Sequence, residues 1–244
     1  MDIRSMWLTD TPLRLDQLLR DAGLYSKKET RELVLQGRIT VNEVPAESAC
    51  IRLTSADRIA VDNVPVTLEP PVYLMMHKPA GLICATTPDL GPTVLELLQE
   101  PYRSMPLFPI GRLDKDAEGL LLLTSDGTLC RRVTRPENRM EKTYFVTYRG
   151  TLREDAEAVL AAGAVLPEGV KCLPAKLKRL PEAFTAEVTV TEGKYHEVKR
   201  LISLCGGHVT YLRRLSIGAL KLDDALKPGE YRKMREDELA LLFR

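Results

Sequence analysis

Residues 111–127 read GRLDKDAEGLLLLTSDG. The leucines at 120–123 predict a buried strand, and Ser125-Asp126-Gly127 is a turn signal that ends it. Asp114 lies shortly before this strand, and a carboxylate held against a buried strand is costly unless another group pairs with it. The stretch therefore predicts a domain built on a sheet, in which Asp114 has a partner from elsewhere in the chain.

The composition is that of an ordinary soluble protein. The 244 residues are enough for one medium domain and a small one, 44% of them are hydrophobic, and the net charge is +1. Such a balance excludes a whole-molecule field that attracts polyanions, so a nucleic-acid surface would have to be a local patch. The start, MDIRSMWLTDTPLR, lacks the apolar core of a signal peptide, and no run approaches the roughly 20 apolar residues of a membrane span. We expect a soluble, cytoplasmic protein.

The cysteines and histidines argue against a metal site and against a disulfide framework. The five cysteines are scattered and never form a C-x-x-C pair, and the three histidines lie far apart in the sequence. Zinc sites usually need close pairs of ligands, and disulfide frameworks need an even number of cysteines. We expect reduced thiols and no bound metal.

Two helices and two short strands are predicted near the start of the chain. The first helix begins at Leu13 and ends near Gly23, a typical C-cap residue. Ser26 and Glu29 form a capping box that opens the second helix, which ends at Gly37. The strands follow over residues 38–41 and 58–62.

Pro70-Pro71 is typical of a semi-rigid linker, so we place one domain at 13–66, a second at 72–244, and an extension at 1–12. Strands outnumber helices in the second domain and their order is irregular. This favours an α+β fold with a mixed, mostly antiparallel sheet over a doubly wound parallel sheet. The predicted strands are 73–76, 120–123, 142–148, 184–191 and 208–215, and the predicted helices are 93–99, 152–161, 196–205 and 237–243.

The first domain carries a local group of cations and hydrogen-bond donors. Clustered cations gain affinity for a phosphate backbone by releasing counterions, and polar side chains add contacts to sugars. The alternative is a solvated helix face, because Glu29 and Glu32 are interleaved with the cations. The candidate RNA-binding residues are Arg14, Lys27, Lys28, Arg31, Arg38 and Asn42.

The run RLDQLLRDAGLYSKKETRELVLQGRITVNE resembles the RNA-binding domain that is named after the fourth protein of the small ribosomal subunit. The resemblance covers about residues 13–62, and the run from Ser26 to Asn42 is its most specific part. It favours RNA binding over a solvated face, and it implies structured RNA as the class of substrate.

The acidic residues of the opening stretch are expected to play different parts. Asp114 is distinguished by its position beside the apolar strand. Asp116 and Glu118 follow at a spacing that makes no metal cage without further ligands, so we interpret both as solvated loop charges. Lys115 is expected to face solvent, and Asp126 to form the turn.

Two later segments could complete a site around Asp114. Lys199 or Arg200 lies near the start of a predicted helix and could neutralise the carboxylate across the fold. A phosphate-facing cation is an equally good interpretation of Arg200. Tyr144 opens a strand and is a core residue on the simplest reading, but beside an extruded base its ring would stack and its hydroxyl could handle a proton.

The second domain resembles the pseudouridine synthases that join such a catalytic domain to the RNA-binding domain above, and in particular the ribosomal small-subunit synthase A family. The shared motifs are MMHKPAGLICAT, GRLDKDAEGLLLLTSDG, EKTY, TEGKYHEVKRL and LKPGEYRKM, in the family's order over about residues 72–235. Position by position, the resemblance implies that Asp114 is the catalytic carboxylate and Tyr144 the active-site tyrosine. It makes Lys199 the basic partner of the aspartate, with Arg200 second.

The same resemblance implies two further substrate contacts and shows three departures. Leu201 would pack near the nucleotide, and Arg112 would organise the aspartate loop or hold the phosphate of the flipped nucleotide. Ala117 stands where the family usually has Thr or Ser, His77 where it commonly has Asn, and Glu197 where it commonly has Gln. The departures spare the catalytic trio and bear on substrate detail.

The implied activity is isomerisation of one uridine to pseudouridine in rRNA, with the 16S molecule of the small subunit as the first choice. The alternatives are a 23S rRNA target and a non-catalytic RNA-binding factor for ribosome assembly. No electron or group is transferred in such an isomerisation, so neither a cofactor nor a metal is expected. The expected partner is rRNA or an assembling ribosomal subunit, and the protein is expected to be a monomer without membrane contacts.

Overall fold

The computed structural model of the chain describes residues 13–54, 56–66 and 71–243. These residues form two compact units. One unit contains residues up to Val72 together with Ser125–Thr128, and the other contains Tyr73–Thr124 and the residues from Leu129 onward. The predicted extension at 1–12 and the first proline of the predicted linker, Pro70, lie outside the described residues.

The two predicted helices of the first unit are confirmed. Strand β1 (Leu13–Arg14) leads into helix α1 (Leu15–Asp21), and helix α2 spans Lys27–Leu35. The Glu29 amide donates to Ser26 Oγ at 3.2 Å and the Ser26 amide donates to the Glu29 carboxylate at 2.6 Å, so the capping box forms as expected. Both helices bury their apolar faces in one small core, whose members include Leu15, Leu18, Leu19, Leu33 and Ile39.

Short strands complete the first unit, and both predicted strands are confirmed to within a residue. Strands β2 (Ile39–Val41), β3 (Val44–Pro45), β5 (Ile59–Val61) and β6 (Val64–Pro65) form a sheet in the order β3-β2-β5-β6, and β4 (Arg52–Leu53) pairs with β1. The turns Asn42-Glu43 and Asp62-Asn63 have positive φ values, as two-residue hairpins require.

The second unit is built on one large sheet, and the expected α+β class with a mixed, mostly antiparallel sheet is confirmed. Its central strands run in the order β11-β12-β10-β13-β9-β7-β15, with β8 on β9 and β14 on β13. The strands are β7 (Tyr73–Lys78), β8 (Phe108–Ile110), β9 (Glu118–Thr124), β10 (Lys142–Gly150), β11 (Lys176–Arg179), β12 (Thr185–Val190), β13 (Gly207–Ile217), β14 (Leu220–Lys221) and β15 (Tyr231–Lys233).

Among the paired strands of the described residues, β9 and β13 make the one parallel pair, and it requires a glycine. Gly119 pairs with Arg214 at a φ of +106°, and a Cβ at Gly119 would lie 2.3 Å from the Arg214 carbonyl oxygen. A side chain cannot be accommodated there. The end of the aspartate loop is therefore held tightly against β13.

Four helices flank this sheet, and several sequence boundaries were wrong. They are α3 (Gly127–Thr134), α4 (Ala156–Ala161), α5 (Glu197–Leu204) and α6 (Glu236–Leu241). The helix predicted over 93–99 is a single 3-10 turn, Val94–Leu97, and the helix predicted from 152 begins only at 156. Phe184 has a φ of +59° and is exposed, so the strand predicted from it starts one residue later.

Some elements were not predicted at all. The turn at Ser125-Asp126-Gly127 leads directly into α3, and the Asp126 carboxylate accepts from the Thr128 amide at 2.8 Å. Strand β8 lies in a segment with several prolines that shows no strand pattern, and its partner β9 supplies the pairing. The strands β11, β14 and β15 were also missed; they contain only two to four residues, too few to show a pattern.

The core of the second unit is divided between two clusters. One cluster contains Tyr144, Leu113, Ala117 and Leu201, and the other contains Met75, Leu120 and Leu122. The five cysteines are free. Within the described part of the chain, no helix is long and apolar enough to cross a membrane.

Candidate active site around Asp114

The loop between β8 and β9 presents Asp114 at the edge of the core. Leu113 and Ala117 are buried on either side of it, and the Ala117 amide donates to the Asp114 carbonyl at 3.1 Å. This turn leaves the Asp114 side chain 25% exposed. The carboxylate is thus fixed by buried neighbours while it remains accessible to a substrate.

Helix α5 brings Lys199 to this carboxylate. Lys199 Nζ lies 3.2 Å from Asp114 Oδ2, and it donates to both Asp116 oxygens at 2.6 and 2.9 Å. Burial opposes the charge of Lys199, but the two carboxylates outweigh burial and raise its pKa. Lys199 is therefore a permanent cation shared by two acids.

Arg200, the second candidate partner, points elsewhere. Its guanidinium pairs with Glu168 and donates to the Tyr195 carbonyl at 3.0 Å. His196, at the N-cap of α5, stacks on the Tyr195 ring with a centroid distance of 3.8 Å. His196 Nε2 lies 3.7 Å from Asp114 Oδ1, so it is a second basic group that faces the carboxylate.

Asp116 is an exposed loop charge, as expected, whereas the interpretation of Glu118 as a solvated loop charge was wrong. Asp116 is largely exposed, but it is paired with Lys199, whose hydrogen bond lowers the pKa of the Asp116 carboxyl against the effect of its partial burial. Glu118 belongs to β9 and accepts from the Tyr211 hydroxyl at 2.8 Å. Burial, together with this bond, raises the pKa of Tyr211 to about 12. The partners come from α5 and β13, which no local spacing reveals.

Tyr144 and Leu201 lie in the core cluster that borders the aspartate loop. Tyr144 is 8% exposed, and Leu201 is fully buried. Both belong to the cluster that contains Leu113 and Ala117, the neighbours of Asp114. The aspartate loop is therefore anchored in the same apolar cluster that holds the ring of Tyr144. Arg112, just before Leu113, is exposed.

Sequence reasoning missed the buried cation beneath the loop. Lys78 is fully buried at the end of β7, and its ammonium donates to the carbonyls of Ala117 at 2.8 Å, Pro79 at 2.9 Å and Lys115 at 3.3 Å. Burial lowers its pKa. The Gly81 amide adds a bond to the Lys115 carbonyl at 2.7 Å. The strand predicted over 73–76 ends two residues before Lys78, and its apolar residues were the one available sign that the strand continues.

Arg214 fixes the loop from the opposite side. This arginine is 1% exposed, and its Nε donates to the Leu120 carbonyl at 2.8 Å. Its Nη1 lies 3.5 Å from the Arg112 carbonyl. Two buried cations thus bind main-chain carbonyls around Asp114, which restricts the positions that the carboxylate can take.

Glu197 and Glu192 form a buried pair of carboxyl groups. Burial, followed by the adjacent Glu192 carboxyl, raises the pKa of Glu197 to about 7. Burial also opposes the charge of Glu192, but Lys194 and the Leu173 amide outweigh it and lower its pKa. Glu197 thus keeps a proton near neutral pH and resembles a glutamine in its hydrogen bonding.

Within the described residues, Cys172, Glu192 and Glu197 are the one group whose side chains could each offer a ligand atom to a single ion. Burial raises the pKa of the Cys172 thiol, and Lys194 already pairs with Glu192. Metal ligands must be deprotonated. This donor set fits a metal poorly, and we assign none to it.

His77 and Ala117, the other departures, are both buried. His77 Nδ1 lies 2.7 Å from the Leu226 carbonyl oxygen, and the Ala117 carbonyl accepts from Lys78. The Ala117 side chain is fully buried among apolar neighbours. A hydroxyl at this position is therefore not needed to hold the backbone of the loop.

In the first unit, the candidate RNA-binding residues fall into two groups. Arg14 pairs with Asp16 at 2.7 Å, Arg38 pairs with Asp62 at 2.6 Å, and Asn42 bridges Asp57 and the Arg58 amide. Their side chains are engaged in holding the domain together. The remaining cations are exposed on α2: Lys27, Lys28 and Arg31. Of these, Lys28 makes a long contact of 3.9 Å to Glu32.

Two family models match this chain. The family described as RNA pseudouridylate synthase matches residues 72–204, and the S4 domain family matches residues 13–59. A solved structure described as a pseudouridylate synthase superposes with a TM-score of 0.69 at 33% identity, covering 94% of this chain and 99% of that one.

Similar sequences cover nearly the full chain. An RNA pseudouridine synthase of Bacillus subtilis is 39% identical, over 94% of this chain and 98% of that protein. The ribosomal small subunit pseudouridine synthase A of Vibrio cholerae is 38% identical, over 95% of this chain and 100% of that protein. The protein of the same name from Escherichia coli is 34% identical, over 93% and 99% of the two chains.

Proposed function

The chain belongs to the RNA pseudouridylate synthase family, and we propose that it isomerises one uridine of 16S rRNA to pseudouridine, with Asp114 as the catalytic carboxylate. The observation that carries this proposal is the contact of 3.2 Å between Asp114 and Lys199, at the edge of a core that contains Tyr144. The names of the relatives from Vibrio cholerae and Escherichia coli support the small subunit as the target.

The reaction begins with a uridine that leaves its stack and enters the site, at a cost of a few kcal/mol. The Asp114 carboxylate then acts at the ribose, by attack on the anomeric carbon or by removal of a neighbouring proton. The bond from the sugar to N1 breaks, the uracil rotates, and a bond from the sugar to C5 forms. N1 gains a proton and C5 loses one, so the reaction has no other product and needs no cofactor.

The surrounding residues support this chemistry in distinct ways. Lys199 orients Asp114 and balances its charge, and Tyr144 stacks on the base and assists removal of the C5 proton. Leu201 packs against the nucleotide, and the exposed cation Arg112 is suited to its phosphates, whereas Arg200 pairs with Glu168. Lys78 and Arg214 act as positioning residues, because their bonds reach the main chain of the loop and not the carboxylate itself.

The RNA-binding domain, placed at 13–66, captures structured RNA for the catalytic domain, placed at 72–244. The exposed cations of α2 supply affinity that depends on salt. Arg14, Arg38 and Asn42 contribute through the shape of that surface, since their own side chains are engaged within the domain. The protein acts as a cytoplasmic monomer on rRNA or on an assembling subunit.

Purified protein and its Asp114→Asn variant should be incubated with 16S rRNA, 23S rRNA and assembling small-subunit particles, followed by chemical mapping of pseudouridine. We expect one modified uridine in 16S rRNA with the wild-type protein and none with the variant. Product in 23S rRNA alone would move the target to the large subunit. If the wild-type protein modifies no substrate while binding all of them, the chain is a non-catalytic assembly factor and the proposal fails.

A further inference from the structure

A cavity in the second unit is not used by the mechanism above. Its volume is about 660 Å³, and its lining includes Arg132, Asn138, Arg139, Glu141 and Phe243. Arg132 lies in the last turn of α3, Asn138 and Arg139 lie in the connection to β10, and Phe243 follows α6. Elements distant in sequence therefore build one pocket.

The pocket has a cationic and aromatic rim. The Arg132 guanidinium carbon lies 3.9 Å from the centroid of the Phe243 ring, and Phe243 is still 41% exposed. Arg139, with a φ of +46°, is exposed beside it. A guanidinium plane and an aromatic ring are the two surfaces on which unstacked nucleobases stack.

The charge of this rim is not balanced by the residues around it. Among the described residues that line the pocket, Glu141 is the one carboxylate, and it is occupied by Lys176 at 2.7 Å. A cation in the last turn of a helix interacts favourably with the helix dipole, which explains Arg132. It does not explain Arg139, which lies beyond the helix. The positive charge at this position is left for an external anion.

The walls of the pocket are held in place by hydrogen bonds. Asn138 Nδ2 donates to the Arg132 carbonyl at 2.7 Å, and the Gly218 amide donates to the Glu141 carbonyl at 2.8 Å. Gly218 approaches the end of the chain so closely that a Cβ there would lie 2.5 Å from the Leu242 carbonyl oxygen. The pocket is therefore preformed, which reduces the entropy lost on binding.

We propose that this pocket binds a nucleotide that flanks the target uridine in the same RNA strand, with Arg132 and Arg139 on a phosphate and Phe243 against a base. The inference rests on the proposed function. Glu141 directly precedes β10, and the main chain of Tyr144 lies three residues further along, about 10 Å at the rise of a strand, with its side chain on the opposite face. The pocket is thus a second contact with single-stranded RNA, separate from α2.

The test separates binding from chemistry. In an Asp114→Asn background, binding of a 20-nucleotide single-stranded RNA is measured by fluorescence anisotropy at several salt concentrations. The variants are Arg139→Gln, Arg132→Gln/Arg139→Gln and Phe243→Leu. The control, Lys171→Gln/Lys227→Gln, removes two exposed lysines outside the pocket. With Asp114 intact, pseudouridine formation on 16S rRNA is measured for the same set.

We expect the double arginine variant to bind at least tenfold more weakly than the control and to lower the salt slope by about 0.7, the contribution of one phosphate contact to a single strand. Arg139→Gln alone should lower the slope by about half of that. Phe243→Leu should weaken binding at an unchanged slope. On 16S rRNA, KM should rise and kcat stay constant.

Affinity and slope equal to those of the control would overturn the inference. Unchanged binding of free RNA combined with lower activity on ribosomal particles would also overturn it, and would assign the pocket to a protein partner. Because Arg139 is exposed, its variant remains informative even if the double variant is unstable. If the wild-type protein forms no pseudouridine, the proposed function fails while the binding comparison still tests the pocket.

Discussion

Replacing Lys199 with methionine removes the cation between Asp114 and Asp116 while keeping most of the side-chain volume. Lys199 Nζ is 3.2 Å from Asp114 Oδ2 and 2.6 Å from Asp116 Oδ1. Without it, two carboxylates face each other with no positive charge of comparable proximity, because His196 lies at 3.7 Å and bears a charge only when protonated. Asp114 then loses the cation that orients it and balances its charge, and the rate of pseudouridine formation should fall.

The size of the effect follows from the geometry. At 3.2 Å, Coulomb's law gives about 5 kcal/mol at an effective dielectric constant of 20 and about 1.3 kcal/mol at that of water. The side chains of Lys199 and Asp114 are 23% and 25% exposed, so the interaction lies between these limits. We take about 3 kcal/mol, which corresponds to a loss of roughly 100-fold in rate.

The assay is the single-turnover rate of pseudouridine formation on 16S rRNA with enzyme in saturating excess. These conditions remove differences in RNA affinity from the comparison. Arg200→Met is the matched control, since it removes the same charge one residue further along α5, where the partner is Glu168. Its single-turnover rate should stay within a few-fold of wild type. Lys199→Arg should recover part of the rate by restoring the charge.

The reasoning is refuted if Lys199→Met retains the wild-type single-turnover rate, or if Arg200→Met loses as much. Thermal unfolding of each variant shows whether the fold is intact. A variant that melts within a few degrees of wild type and still loses rate has lost the electrostatic contribution, and not its structure.

Three further perturbations test other parts of the structure. Glu197→Gln should flatten the pH dependence of stability. The folded wild-type protein keeps the Glu197 proton up to about pH 7, whereas the unfolded chain releases it near the ordinary pKa of a glutamate, so the wild-type free energy of unfolding should fall as pH rises from about 5 to 8. Urea titrations at several pH values that give both proteins the same change of unfolding free energy with pH would contradict this. Lys78→Met removes the ammonium bonds of the Ala117 and Pro79 carbonyls, at about 1–3 kcal/mol for each buried group, while the Lys115 carbonyl keeps its bond from the Gly81 amide. Both the melting temperature and kcat should therefore fall with little change in KM. An unchanged kcat would show that the loop does not depend on Lys78. The triple variant Lys27→Glu, Lys28→Glu and Arg31→Glu should weaken RNA binding and lower the slope of log affinity against log salt concentration by about 2. Its circular dichroism spectrum should stay unchanged. An unaltered affinity would show that α2 does not contact the RNA.

The local elements of the fold could be predicted where a short-range signal is strong. The capping box of Ser26 and Glu29 and the leucine run at 120–123 depend only on neighbouring residues, and both were confirmed. Strand β8 and helix α3 were missed, because the first is stabilised by its pairing with β9 and the second directly follows a turn signal. Short elements have too few residues to show a period.

The features of the candidate site likewise fall into those that the sequence indicates and those that only the structure reveals. The motifs around Asp114, Tyr144 and Lys199 could be recognised in the sequence, since each is a contiguous run. The sharing of Lys199 between Asp114 and Asp116 could not, because 83 residues separate Lys199 from Asp116 and nothing in the spacing indicates that α5 packs on the loop. Lys78 was hidden for a related reason, since a lysine at the end of a strand shows its burial only when its carbonyl partners are in place.

Residue order alone was therefore sufficient for the fold class, the two kinds of domain and the motifs that we propose to carry the chemistry, because periodicity, caps and motifs are properties of adjacent residues. The pairing and the protonation of the charged groups were decided by tertiary packing. Which cation pairs with Asp114, which acids are paired and which carboxyl keeps its proton all depend on desolvation and on distances between groups remote in sequence. The distances and the degree of burial are defined only in the folded protein, where β7, β9, β13 and α5 assemble around the loop.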